Sequence, residues 1–491
     1  MYFMKTIAST ALPSHVQQPH YDRQSLRSRI VHFGFGAFHR AHQALLTDRV
    51  LNAKGGDWGI CEISLFSGDV LMSQLRAQDH LFTVLEKGPD GNQPIIVGAV
   101  HECLNAKLDS LAAIIEKFCE PQVAIVSLTI TEKGYCLDPA TGRLDTQNAR
   151  IVHDLENPSE PHSAPGILVE ALHRRRERGL QPFTVLSCDN IPDNGHVVKN
   201  AVLGMAQKRS PELAAWIDAH VSFPGTMVDR IVPAATEASL AEITQALGVD
   251  DPCAISCEPF IQWVVEDNFV AGRPEWEVAG VQMVQDVLPW EQMKLRMLNG
   301  SHSFLAYLGY LAGYAHINEC MEDEHFREAA RRLMLDEQAP TLRITDVDLT
   351  AYADSLIDRF ANPALQHRTW QIAMDGSQKL PQRMLDGIRV HLERHTAWPL
   401  LALGVAGWMR YVSGTDDQGN AIDVRDPLSE KIRGIVSTSS EADRVTALLG
   451  LNEIFGHDLP QTPAFVDAIV QAYQRLVRDG ARRAVIETLN I

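Results

Sequence analysis

The sequence predicts an α/β protein in two domains, a doubly wound parallel sheet over residues 1–285 followed by a mostly α-helical domain over 286–491. Three observations predict it. Short apolar runs alternate with helical patterns in the first part, as they do where helices wrap a parallel sheet. A Gly-x-Gly turn follows the first of these runs and opens a helix. Beyond residue 285 the texture changes to long amphipathic patterns. At 491 residues the chain also exceeds what one hydrophobic core serves.

Ile30 to Phe33 reads as the first strand, Ala41 to Leu51 as a helix after it, and Ile60 to Leu65 as the second strand. Val123 to Leu128 and Phe183 to Ser187 are later strands, and the helix from Ile167 to Arg178 precedes the Phe183 run as a crossover should. Cys253-x-x-x-Cys257 encloses Ile255 and reads as a buried strand rather than a metal clip. The linker falls near Asp286 to Trp290. After it, Glu324 to Leu335, Asp348 to Phe360 and Ala464 to Arg478 carry helical periodicity. Asp348 caps the second of these and Asn362-Pro363 stops it.

Composition narrows the partners. Sixty-two acidic against 44 basic residues give a formal charge of −18, which repels a phosphate backbone and points to a small molecule rather than nucleic acid. The dense basic run Arg174-Arg175-Arg176-Glu177-Arg178 lies in a helical pattern and reads as a solvated face. Eight scattered cysteines without a Cys-x-x-Cys pair suggest reduced thiols and no metal. Met1 to Thr6 lacks a secretory pattern, and apolar stretches such as Phe304 to Ala315 fall short of the roughly 18 residues that span a bilayer. The expected location is cytoplasmic, away from membrane.

The chemistry concentrates in a few places. Lys294-Leu-Arg-Met-Leu-Asn299-Gly-Ser-His302 gathers an amine, a carboxamide and an imidazole within nine residues. On a regular helix Asn299 and His302 fall about 140° and 80° around the axis from Lys294, so all three can border one site. The same residues alone also fit a solvated lysine, a helix end at Asn299-Gly300 and an ordinary histidine. The run Ile30-Val31-His32-Phe33-Gly34-Phe35-Gly36-Ala37-Phe38-His39-Arg40-Ala41 is a Rossmann-type strand, turn and helix opening, in which glycines let a pyrophosphate approach the backbone. Its third glycine position is His39, so the match is incomplete. Asp69, after the second strand, is placed to accept hydrogen bonds from adenosine ribose hydroxyls, which favours NAD over a 2′-phosphorylated cofactor. Two polar clusters stand where strands should end, Thr129 to Gly134 and Ser187-Cys-Asp189-Asn190 to Gly195; turn chemistry explains such clusters equally well. In the helical half, Arg368, Gln371, Lys379 and Arg383 surround the Asp375-Gly376 turn as a cationic pocket for an anionic substrate or as a charged surface loop.

Together, Gly34 to His42, Ser187 to Asn190, Met227-Val-Asp229-Arg-Ile231, Lys294 to His302 and Asp375-Gly-Ser-Gln-Lys379 resemble the polyol-specific long-chain dehydrogenase/reductase family of the mannitol dehydrogenases, in order along nearly the whole chain. Thr131-Glu-Lys-Gly-Tyr135, Glu258 to Trp263 and Gln371 to Arg383 look most like its fructuronate reductase (mannonate oxidoreductase) branch. The resemblance implies metal-independent, NAD-linked interconversion of a ketose or keto-acid with a secondary alcohol, at a cleft between the domains of a monomer or small homo-oligomer. Lys294 would match the general acid/base, Asn190 and Asn299 the carboxamides on the reacting oxygen, His302 a substrate-orienting imidazole, Lys379 a substrate contact and Glu291 a proton relay. Cofactor contacts would come from Ile30 to Ala41, Asp69, Thr129 and Asp229. One departure matters: polyol enzymes carry arginine eight residues before the lysine of Asp-Gly-Ser-x-Lys, and here that place is Gln371. This favours a sugar acid, with Lys379, Arg368 and Arg383 as candidate cations for its carboxylate.

Hydride addition to a carbonyl builds negative charge on oxygen; preorganised amide donors each stabilise it by about 3 kcal/mol and an ammonium quenches it by giving up a proton. A charged Lys294 suits reduction. Alcohol oxidation needs it neutral first, so oxidation is expected to be favoured at high pH and reduction nearer neutrality.

Overall fold

The computed structural model describes residues 5–139, 141–345, 347–364 and 367–490, so that the first four of the residues read for a secretory pattern lie outside it. The chain divides into two compact units, one ending at Leu288 and the other running from Pro289 to Ile491.

Eleven strands belong to the first unit: β1 Arg27–Phe33, β2 Trp58–Ser64, β3 Phe82–Gly88, β4 Gly91–Val97, β5 Val100–Asn105, β6 Ile125–Leu128, β7 Thr184–Ser187, β8 Thr226–Asp229, β9 Ile255–Cys257, β10 Gln262–Glu266 and β11 Gln282–Val284. Five form a wholly parallel sheet in the order β5-β2-β1-β6-β7. The apolar runs are continuous because both faces are covered. Ile30, Ile60 and Ile125 enter one core, while their neighbours Val31, Cys61 and Val126, aligned across the sheet, enter another. Helix Ala164–Glu177 crosses between β6 and β7, capped by Ser163, whose hydroxyl accepts the Gly166 N–H. Two three-stranded sheets, β11-β10-β8 and β4-β3-β9, contain antiparallel pairs and complete the unit. The Cys253 to Cys257 stretch supplies β9, and all eight cysteines are buried free thiols.

The basic run is not uniformly solvated. Arg174 and Arg178 pair with Glu116 on the surface, but Arg175 turns inward and donates to the carbonyls of Phe118, Glu120, Val123 and Gln181. Helical periodicity places one arginine of a run on the buried face, where carbonyls at a strand entrance satisfy it.

The second unit has one large core. Helices Ser301–Ala312 and Pro399–Tyr411 are apolar nearly all round and lie at its centre, packed with Pro463–Leu489, which breaks at Gly480 where φ is +75°. Helix Leu349–Ala361 begins where expected, with Asp348 accepting from the Thr350 and Ala351 N–H groups, and ends at Asn362. Three segments, Lys294–Gly300, Leu333–Gln338 and Pro381–Leu385, are π-helical. Among the described residues no helix is long and apolar enough to cross a membrane.

Candidate active site

In the parallel sheet β1 has β2 on one side and β6 on the other, so the chain switches direction at its carboxyl end, where ligands of open α/β sheets bind. The turn at Gly34 to Gly36, the Ser64 to Asp69 segment, Thr129 to Thr131 and Ser187 to Asn190 all follow strands ending at this edge. Gly34 has φ +105°, and a Cβ there would stand 2.3 Å from the Thr129 carbonyl oxygen. Gly36 is open, its virtual Cβ meeting only the Gly34 carbonyl at 4.0 Å. The Thr129 hydroxyl lies 3.0 Å from the Gly34 carbonyl oxygen and braces the turn.

Beneath the turn the side chains face inward. His32 lies within hydrogen-bond distance of Ser127 Oγ, Thr129 Oγ1 and the Gly34 carbonyl. His39 stacks on His32 with ring centres 3.4 Å apart and meets Glu62 at 2.6 Å. Burial pushes Glu62 up to about 7 and His39 down to about 3, and the His32 imidazole also well below its usual range, so both rings are neutral at pH 7. The ligand atoms of His32, His39 and Glu62 are close enough to surround an ion. The two imidazoles lie 10° from parallel, however, so their in-plane lone pairs do not converge as a metal requires. Arg40 donates to the Gly36 and Cys253 carbonyls, and Ile30, Val31, Phe33, Phe35 and Ala41 are buried in the cores. Of the residues Ile30 to Ala41, Gly34, Gly36, Ala37 and Phe38 are accessible, while the other side chains are buried in the fold.

Asp69 opens helix Asp69–Ala77 behind the left-handed Gly68 and pairs with Lys107 at 3.0 Å, which holds its carboxyl below the usual range. Asn190 follows a clamp not anticipated from sequence. The Asp189 carboxylate accepts the Ile130 and Thr131 N–H groups and the Tyr135 hydroxyl, joining the β6 and β7 loops. On the far side the Asn194 carboxamide bonds the Asp189 carbonyl and both backbone groups of Thr226. The cluster's Asp and Asn content was visible, but turn and clamp share that composition. Asp229 is buried at the end of β8, outside the parallel sheet. Arg230 is a brace: it donates to the carbonyls of Ala41 and Glu258 and pairs with Glu86.

In the second unit, helix Leu288–Met293 carries the half-buried Glu291 and runs straight into the π-helical Lys294–Gly300, which continues as Ser301–Ala312. The helix does not end at Asn299-Gly300, and the regular-helix angles do not apply. A π-turn bonds i to i+5, so Asn299 sits one turn from Lys294 on nearly the same face instead of about 140° away. Lys294 is buried and Asn299 half-buried. His302 stacks on Phe360 and meets the edge of His367; burial, with His367 and Arg383 nearby, drives its pKa well below the usual value, leaving a neutral imidazole at pH 7.

The Asp375 turn, with φ +57°, separates two short helices, Thr369–Ala373 and Gly376–Leu380. Arg368 and Gln371 are exposed on the first. Lys379 turns back to the carbonyls of Ile372 and Met374, and Arg383 lies against Asn299 and Ser303. The structure thus joins Lys294, Asn299 and His302 on one continuous helix with Arg383 beside it, and leaves Arg368 and Gln371 facing solvent.

The family model described as the mannitol dehydrogenase Rossmann domain matches residues 28–278, and that described as the mannitol dehydrogenase C-terminal domain matches 286–477. The chain is 81% identical over 488 residues to the uncharacterized oxidoreductase YeiQ of Escherichia coli K12, covering 99% of this chain and all of the relative. It is 58% identical over 485 residues to the D-mannonate oxidoreductase of the same organism, covering 98% and 99%. A solved structure, the ternary complex of Pseudomonas fluorescens mannitol 2-dehydrogenase with NAD and D-mannitol, superposes with a TM-score of 0.82 at 40% identity over 98% of each chain.

Proposed function

The chain belongs to the mannitol dehydrogenase family, and from that premise we propose that it is an NAD-dependent oxidoreductase interconverting D-fructuronate and D-mannonate, or a closely related hexuronate-derived pair. The observation that carries this reading is the π-turn that brings Lys294 and Asn299 to one face, in a chain 58% identical to a D-mannonate oxidoreductase. A proton donor beside an oxyanion-stabilising carboxamide is what reduction of a carbonyl requires.

The residues present suit the cofactor. The open backbone at Gly36, held by the Gly34 to Thr129 contact, would receive the pyrophosphate, and Asp69 would accept from the adenosine ribose hydroxyls. NAD, when bound, supplies or takes the hydride. Asn299 would hold the reacting oxygen; Lys294 would give it a proton in reduction and take one in oxidation, with Glu291 passing that proton to solvent. Asn190, exposed next to the Asp189 clamp, is the first unit's candidate carboxamide. His302, neutral and pinned by Phe360, would accept or donate one hydrogen bond to a substrate hydroxyl without adding charge. Gln371 in place of the polyol arginine supports an acid over a neutral polyol.

The test is NADH consumption by purified protein with D-fructuronate, D-tagaturonate, D-fructose and D-xylulose in parallel. Turnover of fructuronate above the neutral ketoses is expected. Turnover of fructose or xylulose instead would assign a polyol dehydrogenase, and silence on all four with NADH bound would overturn the substrate class.

A further inference from the structure

Three cations were candidates for the substrate carboxylate, and their surroundings in the second unit separate them. Arg368 is exposed, its backbone held in a bridge to His316. Lys379 spends its ammonium on the Ile372 and Met374 carbonyls, 3.1 and 2.5 Å away. Arg383 is different. Its Nη1 donates to Ser303 Oγ at 3.0 Å and to the Asn299 carbonyl at 3.4 Å, while its buried Nε has no acceptor and Nη2 makes no hydrogen bond among the described residues.

No carboxylate pairs with Arg383 among the described residues. The acidic group nearest in role, Asp426, is occupied by the N–H and hydroxyl of Ser377 and the N–H of Leu428. The other neighbours are the Lys379 ammonium, the His302 imidazole, held neutral, and the buried Tyr307 hydroxyl. Burying a guanidinium without an anion is unfavourable, and its planar fork matches a carboxylate with two parallel hydrogen bonds. A half-buried fork whose Nε has no acceptor, among donors and neutral groups, has the chemistry to receive an anion.

Its location is also specific. Arg383 belongs to the π-helical Pro381–Leu385, which packs on the π-helical Lys294–Gly300. The approach is close because Gly300 lacks a side chain: a Cβ there would stand 2.8 Å from the Arg383 carbonyl oxygen. The fork therefore rests on the backbone of Asn299, one turn from Lys294.

We infer that Arg383 is the carboxylate anchor of the substrate site, receiving a sugar-acid carboxylate on its guanidinium fork from the Nη2 side while the reacting carbon of the same molecule lies toward Lys294 and Asn299. This rests on the sugar-acid reading above and fixes which residue carries it.

The test compares wild type with Arg383→Met, which removes the charge, and Arg383→Lys, which keeps charge but not the fork, each checked for a cooperative thermal transition. KM and kcat are measured for D-fructuronate and D-fructose, and binding of D-gluconate and D-glucitol is measured by calorimetry in the presence of NADH. For Arg383→Met the expected result is a rise in KM for fructuronate of at least a hundredfold, with the loss in kcat/KM at least tenfold greater than on fructose; Arg383→Lys falls between. Equal losses on acid and neutral sugar, or an unchanged KM for fructuronate, would overturn the anchor and leave Arg383 as a support for Asn299. If wild type does not turn over fructuronate, the proposed function fails while the anchor is still judged by calorimetry: gluconate binding lost in Arg383→Met and weakened in Arg383→Lys, with D-glucitol binding unchanged, supports it, and gluconate binding unchanged in Arg383→Met, or absent from wild type, overturns it.

Discussion

Glu62 and His39 form a fully buried acid-base pair whose pH response can be worked out from the two shifts. Burial raises Glu62 to about 7, against roughly 4.3 in an unfolded chain, so its stabilising contribution is complete below the lower value and is lost as pH climbs to the upper one. Burial lowers His39 to about 3, so its contribution is present above roughly 6.5 and is lost as pH falls toward 3. Where these ranges overlap the effects oppose each other, so stability changes little with pH around 5 to 6. Glu62→Gln removes one side of that balance. The expected outcome is that the stability advantage of wild type over Glu62→Gln, read from urea unfolding, shrinks by up to roughly 3 kcal/mol between pH 4.5 and 7; an advantage constant with pH would mean that the buried carboxyl is already ionised. A second substitution tests specificity at an exposed position. Gln371→Arg, on the surface of Thr369–Ala373, should raise kcat/KM on neutral polyols several-fold, and no change in a mannitol or arabinitol assay would remove Gln371 from the discrimination. His39 in place of the third glycine was legible as a departure, but its partner was not, because Glu62 lies 23 residues away and nothing local announces a buried carboxylate in a strand.

The strand-turn-helix element after β1 assigns different work to its two glycines. Gly34 is dictated by the fold, since an alanine would need φ +105° and would drive its Cβ into the Thr129 carbonyl; Gly36 meets only the Gly34 carbonyl at 4.0 Å, so an alanine fits the apo protein. Gly34→Ala should lower the melting temperature by several degrees, a change on the order of 2 kcal/mol for a strained backbone position. Gly36→Ala should melt as wild type does yet weaken NADH binding at least tenfold, seen by fluorescence titration, because its methyl group would occupy the face proposed for the pyrophosphate. Equal NADH affinity in Gly36→Ala and wild type would move the cofactor away from this turn. Elements of this kind were readable because a glycine pair after an apolar run has a local cause. The π-helical Lys294–Gly300 was not, since its residues are compatible with a regular helix and the segment packs against Pro381–Leu385, about 80 residues further on. The sequence placed the three candidate side chains on one segment, with angles between them that the π-turn changes.

Across the molecule, the parallel sheet and the helical second half were visible because each follows from a repeating pattern, apolar runs in the one and helical periodicity in the other. The antiparallel additions β3-β4 and β8-β10 were missed: they pair short segments, some distant in sequence, in which alternation is interrupted by charged residues such as Glu86 and Glu266. The architecture also separates two tasks. The proposed nucleotide contacts, Gly34, Gly36 and Asp69, lie in the first unit, whereas the proposed proton-transfer amine Lys294, Asn299 and His302 lie on one helix of the second, with a hydrophobic core of its own. Binding and chemistry should therefore be separable by substitution. Lys294→Ala is expected to lower kcat by about a hundredfold to ten-thousandfold, the range for loss of a general acid, while NADH affinity stays within threefold of wild type. Rescue of turnover by added methylamine, which supplies an amine of similar basicity to the vacated position, would mark the loss as proton transfer. A fall in NADH affinity matching the fall in kcat would instead make Lys294 a cofactor contact, and undiminished turnover would remove it from the chemistry and return the acid/base role to another residue of the same helix.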